Sequence, residues 1–410
     1  MQEEREFDVV LWGATGFTGK LVAEYLYNNY KNTPDLTWAI AARNKEKLEG
    51  VRAEVADDSI PIIIADSNNE KSLVDLAKRT KVICTTVGPY EKYGSLLVKV
   101  CVDTDTHYCD LTGEVPWMSK MINLYHDMAS SKKLKIVHTC GFDSIPSDMG
   151  VYFMQQQALA KTGAYAKQID MRVKAFAGGI SGGTYASLSG MLEDAQKDKS
   201  IYGILNNPYS LNPEGEQYGP DQKDLQKVVF DDVSNSWNYP FVMAGINTRV
   251  VRRSNALLDY TYGKEFKYSE SAMTGKGISN RMKATAAAAS MAMLMLAKPG
   301  SLLKKVVDKK TPKPGEGPSK EERDNGFYNM RLYTRLHDDT MVVGRVTGDK
   351  DPGYGSTSKM LAEAAIALSK DELPETYGLL TPSVAMGDAL LKRLQENAGL
   401  TFTYNMNETA

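Results

Sequence analysis

Three glycines in the run Gly13-Ala14-Thr15-Gly16-Phe17-Thr18-Gly19 constrain this chain more than any other stretch. Before them stands the short apolar run Phe7-Asp8-Val9-Val10-Leu11-Trp12, which predicts a buried first strand. After them Leu21, Val22, Tyr25 and Leu26 recur at helical spacing. A glycine-rich turn between such a strand and such a helix opens a dinucleotide-binding fold. Gly13 permits the sharp turn, Gly16 lets backbone approach a pyrophosphate, and Gly19 lets the helix pack closely on the strand. The helix start presents open N–H groups and the positive dipole end. Ala14, Thr15, Phe17 and Thr18 therefore join the three glycines as expected cofactor contacts.

The alternation continues through residue 150. Strands are predicted over 36–42, 60–65, 81–86, 107–114 and 135–140, with helical stretches between them. Six strands alternating with helices predict a doubly wound parallel sheet, an α/β fold of Rossmann type. Ligands gather at the carboxyl ends of such strands, so the turns there are the candidate site. An NAD site places an acid near the end of the second strand, to hold the ribose 2′-hydroxyl. This chain has Ala41-Ala42 there, followed by Arg43 and Asn44. A guanidinium can bond a 2′-phosphate bidentately where a carboxylate would repel it. The cofactor is therefore read as NADP(H), with Arg43 discriminating; a solvated arginine at a helix start is the alternative. Asp66, ending the third strand, is placed at the adenine edge. Thr86, Val87, Gly88 and Pro89 are placed along the nicotinamide half.

The remaining strand ends supply the catalytic candidates Tyr90, Glu114 and Asp143, with Thr112 and Ser144 beside them. Each has a plainer reading: turn packing for Tyr90, an ion pair for Glu114, shaping of a helix start for Asp143. A short-chain dehydrogenase would need Tyr-x-x-x-Lys on one helix. Tyr27 to Lys31 lies in the wrong element, and Tyr260 to Lys264 contains Thr-Tyr-Gly, which disfavours a helix.

Composition excludes other classes. The chain has 42% hydrophobic and 24% charged residues and a formal net charge of -2. Nothing there calls for nucleic acid or an anionic surface as partner. Cys84, Cys101, Cys109 and Cys140 form no C-x-x-C pair and read as buried thiols. Four scattered histidines give no metal signature, and His138 reads as a core residue. The acidic first residues do not resemble a signal peptide, and Ala284 to Ala297 is too short to span a bilayer. A cytoplasmic protein is expected.

From about residue 151 the pattern changes. Residues 168–176 alternate like a half-exposed strand, suiting an antiparallel or mixed sheet. The turn Gly178–Thr184 precedes a predicted helix over 185–195; it is read either as an anion-binding turn or as a flexible connection. Residues 203–240 read as a long surface insertion. Strand-like stretches recur at 264–272 and 327–346, and a Lys- and Pro-rich loop is expected over 304–323. The Ala/Met run at 284–297 reads as a helix in a core or a homodimer interface. A soft wall for an acyl chain is one alternative, and a lipid-surface contact with Lys298, Lys304 and Lys305 at headgroup level is another. Two helices, 356–368 and 381–397, close the chain. The expected organisation is a cofactor domain over 1–150 with 352–400 packing back on it. A mixed α/β domain for substrate or dimerisation then covers 151–351.

The chain resembles the saccharopine dehydrogenase-like oxidoreductases, and most closely their trans-acting enoyl reductase branch. The resemblance is carried by GATGFTGKLVAEYL at 13–26, AARN at 41–44, VGPY at 87–90, YCDLTGE at 108–114, GFDSIPSD at 141–148 and SGGTYAS at 181–187. PKPGEGPSKEERDNGFY at 312–328, DPGYGSTSKMLAEAA at 351–365 and LLTPSVAMGDALL at 379–391 extend it. It implies a Rossmann domain binding NADP(H), followed by a mixed domain. In that branch it further implies reduction of a carbon–carbon double bond on a lipid-like polyketide chain carried by a synthase. True saccharopine reductases carry a G-x-D-P-G segment where this chain has Gly141 to Ile145. Vertebrate relatives associate with lipid droplets, so a non-catalytic lipid-associated protein and a saccharopine-type amino-acid reductase stand as alternatives.

Overall fold

The computed structural model describes residues 5–55, 58–178, 190, 198–220, 223–296 and 316–405. β1 (Phe7–Trp12) is buried at all its positions, as a β-branched apolar run without alternation demands. Around it assemble β2 (Trp38–Ala42), β3 (Ile62–Ile64), β4 (Thr80–Thr85), β5 (His107–Cys109), β6 (Lys135–Val137) and, from far along the chain, β13 (Gly378–Leu380). They form one parallel sheet in the order β13-β6-β5-β4-β1-β2-β3. The chain runs outward from β1 to β3, then restarts on the other side at β4. The crevice between the ends of β1 and β4 is thus the topological switch point, where such sheets bind ligands.

The sequence predicts six strands for this sheet, and the structure has seven. Gly378-Leu379-Leu380 is too short to show any period and reads as the approach to the following helix. Its partner is β6, in parallel register through Leu379 and Ile136.

The connecting helices are α1 (Phe17–Tyr30), α2 (Lys45–Val55), α3 (Glu70–Ala77), α4 (Tyr90–Tyr93), α5 (Ser95–Asp103), α6 (Val115–Ser131) and α7 (Ile145–Thr162). Further on come α8 (Ser200–Asn206), α9 (Ala244–Leu257), α10 (Ile278–Leu296), α11 (Lys320–Asp324), α12 (Thr357–Lys370) and α13 (Pro382–Glu396). Strand alternation sorts the core into two layers. Val10, Trp12, Ile83, Tyr108 and Ile136 pack with α3, α5 and α6 on one face. Val9, Leu11, Val82, Cys84 and Cys109 pack on the other with Val22 and Leu26 of α1 and Met360, Leu361 and Ala364 of α12. The four cysteines are free and buried. Glu363 of α12, fully buried, accepts the hydroxyls of Tyr25 (2.7 Å) and Tyr30 (2.5 Å) and pairs with Arg393 of α13 (3.2 Å). That network locks α12 and α13 to α1.

The second sheet holds β7 (Gln168–Ala177), β8 (Val229–Asp231), β9 (Ser236–Tyr239), β10 (Lys267–Met273), β11 (Phe327–Arg335), β12 (Met341–Gly348) and β14 (Leu400–Asn405). Its order is β14-β12-β11-β7-β10-β9-β8, with β7 and β10 parallel and the other pairs antiparallel. The stretch 327–346 is therefore a hairpin. Gly150 of α7 packs on this sheet, where an added Cβ would meet Val346 at 3.0 Å and Leu332 at 3.2 Å.

Two expectations are corrected here. Residues 203–240 are not merely a surface insertion: they hold β8 and β9, and Tyr209 and Leu211 are core residues. Two arginines one turn apart on α9 pin that stretch, Arg249 donating to the Leu205 carbonyl (2.8 Å) and Arg252 to that of Pro208 (3.3 Å). The Ala/Met run is helical as far as Leu296, and the core reading holds for Ala284 but not for Met293. In α10 Ile278, Met282 and Met293 are exposed: the helix packs beside β9, one strand in from the edge of the second sheet, and an all-round apolar pattern selects no face. Residues 179–189, which include most of the glycine turn at 178–184, lie outside the described residues, as do 191–197 and 304–315. Among the described residues no helix is long and apolar enough to cross a membrane.

Candidate functional site

The glycine-rich turn leaves β1 at the switch point. Gly13 has φ +93, a conformation that side-chain-bearing residues avoid, and an added Cβ would stand 2.6 Å from Val87 Cγ2 and 2.9 Å from Thr86 Oγ1. The amides of Gly13 and Ala14 donate to the Ala41 carbonyl at 2.9 and 3.3 Å, and Gly16 N closes the turn on Gly13 O at 3.0 Å. Gly19 packs closest of the three: its Cβ would lie 2.1 Å from Gly13 O. At Gly16 the only neighbour of such an atom among the described residues is Gly13 O, at 3.4 Å, so the turn opens outward there. No side chain caps α1, whereas Asn69 caps α3 and Asn44 Oδ1 accepts Lys47 N at 2.9 Å at the start of α2. The first amides of α1, beyond Thr15 and including those of Phe17 and Thr18, are thus left for an anion. An open cradle beside an uncapped helix start fits a dinucleotide pyrophosphate.

Arg43 and Asn44 follow β2 and are exposed at its carboxyl end, with Lys47 one helical turn on. Asp66, at the end of β3, is drawn into its own turn: Oδ1 accepts Asn68 N at 2.8 Å. Across the switch point Thr86 N bonds Trp12 O at 3.0 Å and Thr86 Oγ1 donates to Gly13 O at 3.2 Å. Val87 and the cis Gly88–Pro89 pair carry the chain into α4.

The three catalytic candidates meet at the ends of β4, β5 and β6. Glu114 accepts the amides of Tyr90 (3.0 Å) and Glu91 (2.9 Å), so its carboxylate caps α4. The Tyr90 hydroxyl donates to the Thr85 carbonyl (3.3 Å) and receives Leu111 N (3.4 Å). Burial, then the charge of Asp110, push its phenol well above its usual range, with Asp143 and Glu114 adding to the shift. It therefore keeps its proton, and both sides of the hydroxyl join the ends of β4 and β5.

Asp143 is different. No side chain caps α7, so Asp143 does not serve as its cap. Its oxygens lie beside two glycines: a Cβ on Gly141 would stand 2.9 Å from Oδ2, and one on Gly113 would stand 3.6 Å from Oδ1. Burial, with Asp110 adding to it against the bond from its own backbone amide, raises the carboxyl to about 7. Asp143 is thus a carboxylic acid poised near neutral pH and still partly open to the surface.

Two groups at this site lie in stretches that carry the family resemblance, but neither is among the site residues expected from the sequence. Asp110, fully buried, accepts His138 Nδ1 (2.7 Å), Tyr108 OH (2.9 Å) and the amides of Thr112 (3.0 Å) and Thr139 (3.1 Å). It fixes the ends of β5 and β6 and keeps His138 in the core. Arg323 of α11 stacks over the Phe17 ring, 5.4 Å from its centroid, although the two are far apart in sequence. Tyr354 meets the same ring edge to face at 5.2 Å.

Residues 9–137 match the saccharopine dehydrogenase NADP binding domain. A Mycobacterium tuberculosis protein named as a trans-acting enoyl reductase is 40% identical, covering 95% of this chain and 96% of its own. The trans-acting enoyl reductase of Mycobacterium ulcerans is 36% identical over 96% of each chain. Among solved structures, saccharopine dehydrogenase (L-Glu forming) of Saccharomyces cerevisiae aligns with TM-score 0.54 at 13% identity, covering 97% of this chain and 99% of that one, a likeness of fold.

Proposed function

Because the chain belongs to the saccharopine dehydrogenase-like oxidoreductases, in the group that contains the trans-acting enoyl reductases, we propose that it is an NADPH-dependent reductase of an α,β-unsaturated acyl or polyketide chain. Residues 1–150 with 352–400 form the cofactor unit in this reading, and 151–351 the substrate unit. The acyl chain is carried as a thioester on a synthase. The cofactor supplies a hydride to the β-carbon. Gly13 to Gly19 would hold its pyrophosphate, Arg43 and Asn44 its 2′-phosphate, and Thr86 to Pro89 the nicotinamide side.

The remaining chemistry belongs to the protein. Hydride addition pushes an electron pair from the double bond toward the thioester oxygen, and the α-carbon then takes one proton. Asp143 supplies that proton from its carboxyl group. Its position between Gly113 and Gly141, with a carboxyl raised to about 7, is the observation that carries the reading. Tyr90 and Glu114 act by holding the turn beside it, through the Thr85 carbonyl and the amides of α4.

The test is turnover of enoyl thioesters of increasing chain length against saccharopine, with purified protein and NADPH. A buried methylene contributes about 0.8 kcal/mol, so kcat/KM should rise several-fold per added carbon until the pocket fills. Turnover of saccharopine with no response to any enoyl thioester would move the protein to the amino-acid branch.

A further inference from the structure

A cavity of about 730 Å³ opens between α1 and α2, lined by Thr15, Phe17, Lys20, Lys47, Glu54 and Arg323 among others. Five of these six belong to the first sheet's own connections. Arg323 does not: it reaches the cavity from α11, in the chain between the second sheet's β10 and β11.

Its placement is built, not incidental. A capping box starts α11, with Ser319 Oγ accepting Glu322 N at 3.2 Å and Glu322 accepting Ser319 N at 2.8 Å. Arg323 N bonds Ser319 O at 3.0 Å, and the Arg323 carbonyl accepts Asp351 N at 3.1 Å. Gly317 presses on the cofactor turn so closely that a Cβ there would stand 2.4 Å from Phe17 Cε1. The guanidinium lies over the same ring and donates to the Pro318 carbonyl at 2.6 Å. A guanidinium carries five donors in a planar fork, so one such bond leaves most of them for a ligand.

In a sheet of this kind the adenosine ribose lies between the ends of the first two strands. Its 2′-substituent therefore points toward the gap between the starts of α1 and α2, in the cavity that Thr15, Lys47 and Arg323 line. Lys20, the third cation, is paired with Glu54 at 2.5 Å. We propose that Arg323 is a phosphate ligand delivered from outside the Rossmann half, binding the 2′-phosphate of NADPH through its fork, with Lys47 as the second cation. The inference rests on the reading that the glycine-rich turn holds NADPH. It adds that cofactor discrimination is shared between Arg43 and a residue of the second half of the chain.

The test is calorimetric titration of native protein, Arg323→Ala and Arg323→Lys with NADPH, NADH and adenosine 2′,5′-bisphosphate. Loss of charged hydrogen bonds should weaken NADPH and the bisphosphate by about tenfold or more in Arg323→Ala. NADH should bind unchanged. Arg323→Lys keeps the charge without the fork, so it should show a smaller loss for the same two ligands, and it carries the test if the alanine variant does not fold. Equal weakening of NADPH and NADH would overturn the proposal and leave Arg323 a clamp on Phe17, and so would unchanged binding of all three. Native protein that binds neither NADPH nor the bisphosphate would instead remove the cofactor reading beneath it, and the proposal with it.

Discussion

Lys370, in the last turn of α12, holds Asp8 of β1: its Nζ lies 2.9 Å from Asp8 Oδ2. Lys81 of β4 takes the other oxygen at 2.9 Å, and Thr37 N donates to Oδ2 at 2.9 Å. A carboxylate in an inner strand of a parallel sheet would be costly if unpaired. Here it joins three segments that are distant in sequence.

Asp8 makes stability depend on acid. Burial alone would raise its carboxyl, but the bonds from Lys81, Thr37 and Lys370 outweigh that and leave it lowered. A lowered folded value means the stabilisation is complete above the unfolded value of about 3.9 and is lost as pH falls through the folded one. Asp8→Ala should cost roughly 1–2 kcal/mol at neutral pH, by removing the bonds from Thr37 N, Lys81 and Lys370, whose donors water can still reach. Urea unfolding at pH 7 and near pH 3 checks this; a variant difference that does not shrink at low pH would contradict it.

The glycines of the turn should separate binding from folding. At Gly16 a side chain enters open space, so Gly16→Val should abolish NADPH binding with the melting temperature little changed. At Gly19 a Cβ would stand 2.1 Å from the Gly13 carbonyl. Gly19→Ala should therefore destabilise the fold by about 1–3 kcal/mol, the range for overpacking. Melting curves with and without NADPH distinguish the two, and normal NADPH binding by Gly16→Val would show that the turn does not carry the pyrophosphate.

Arg43 should set cofactor preference. Arg43→Ala should cost NADPH roughly 1.5–3 kcal/mol of binding, the range for hydrogen bonds to charged groups, and leave NADH untouched. Equal affinity of the native protein for both cofactors would sink this assignment.

Asp143 predicts a pH limb in the reduction. A proton donor must be in its acid form, so kcat should fall as pH rises through about 7. Asp143→Asn should lower kcat by about 10²–10⁴ and flatten that limb, the usual scale for removal of a general acid. A variant with the native profile would return the proton to water or to another group.

Most of the first sheet was legible because its strands are buried on both faces and punctuated by glycine turns, as in Phe7–Trp12 before Gly13. The NADP-binding character followed from one local contrast, Ala42 before Arg43. β13 was not legible, since three residues carry no period and Leu379 gains meaning only from Ile136 beside it. Arg323 ends the Lys- and Pro-rich stretch expected as a loop over 304–323; its place above Phe17 is purely tertiary. α10 misled for the opposite reason. Its Ala/Met composition indicates burial, while its neighbours leave Met282 and Met293 exposed.

The return of α12 and β13 to the first sheet has a consequence for synthesis. Translation produces residues 7–137 before α12, yet Val9, Leu11, Val82 and Cys84 face a layer that includes Met360 and Leu361. Until the ribosome has passed residue 380, that apolar face is without its α12 cover, β6 lacks its outer neighbour, and Asp8 lacks Lys370. The unit that matches an NADP-binding domain is thus begun long before it is completed. A nascent chain stalled near residue 350 should offer chaperones a hydrophobic sheet face that the finished protein no longer shows.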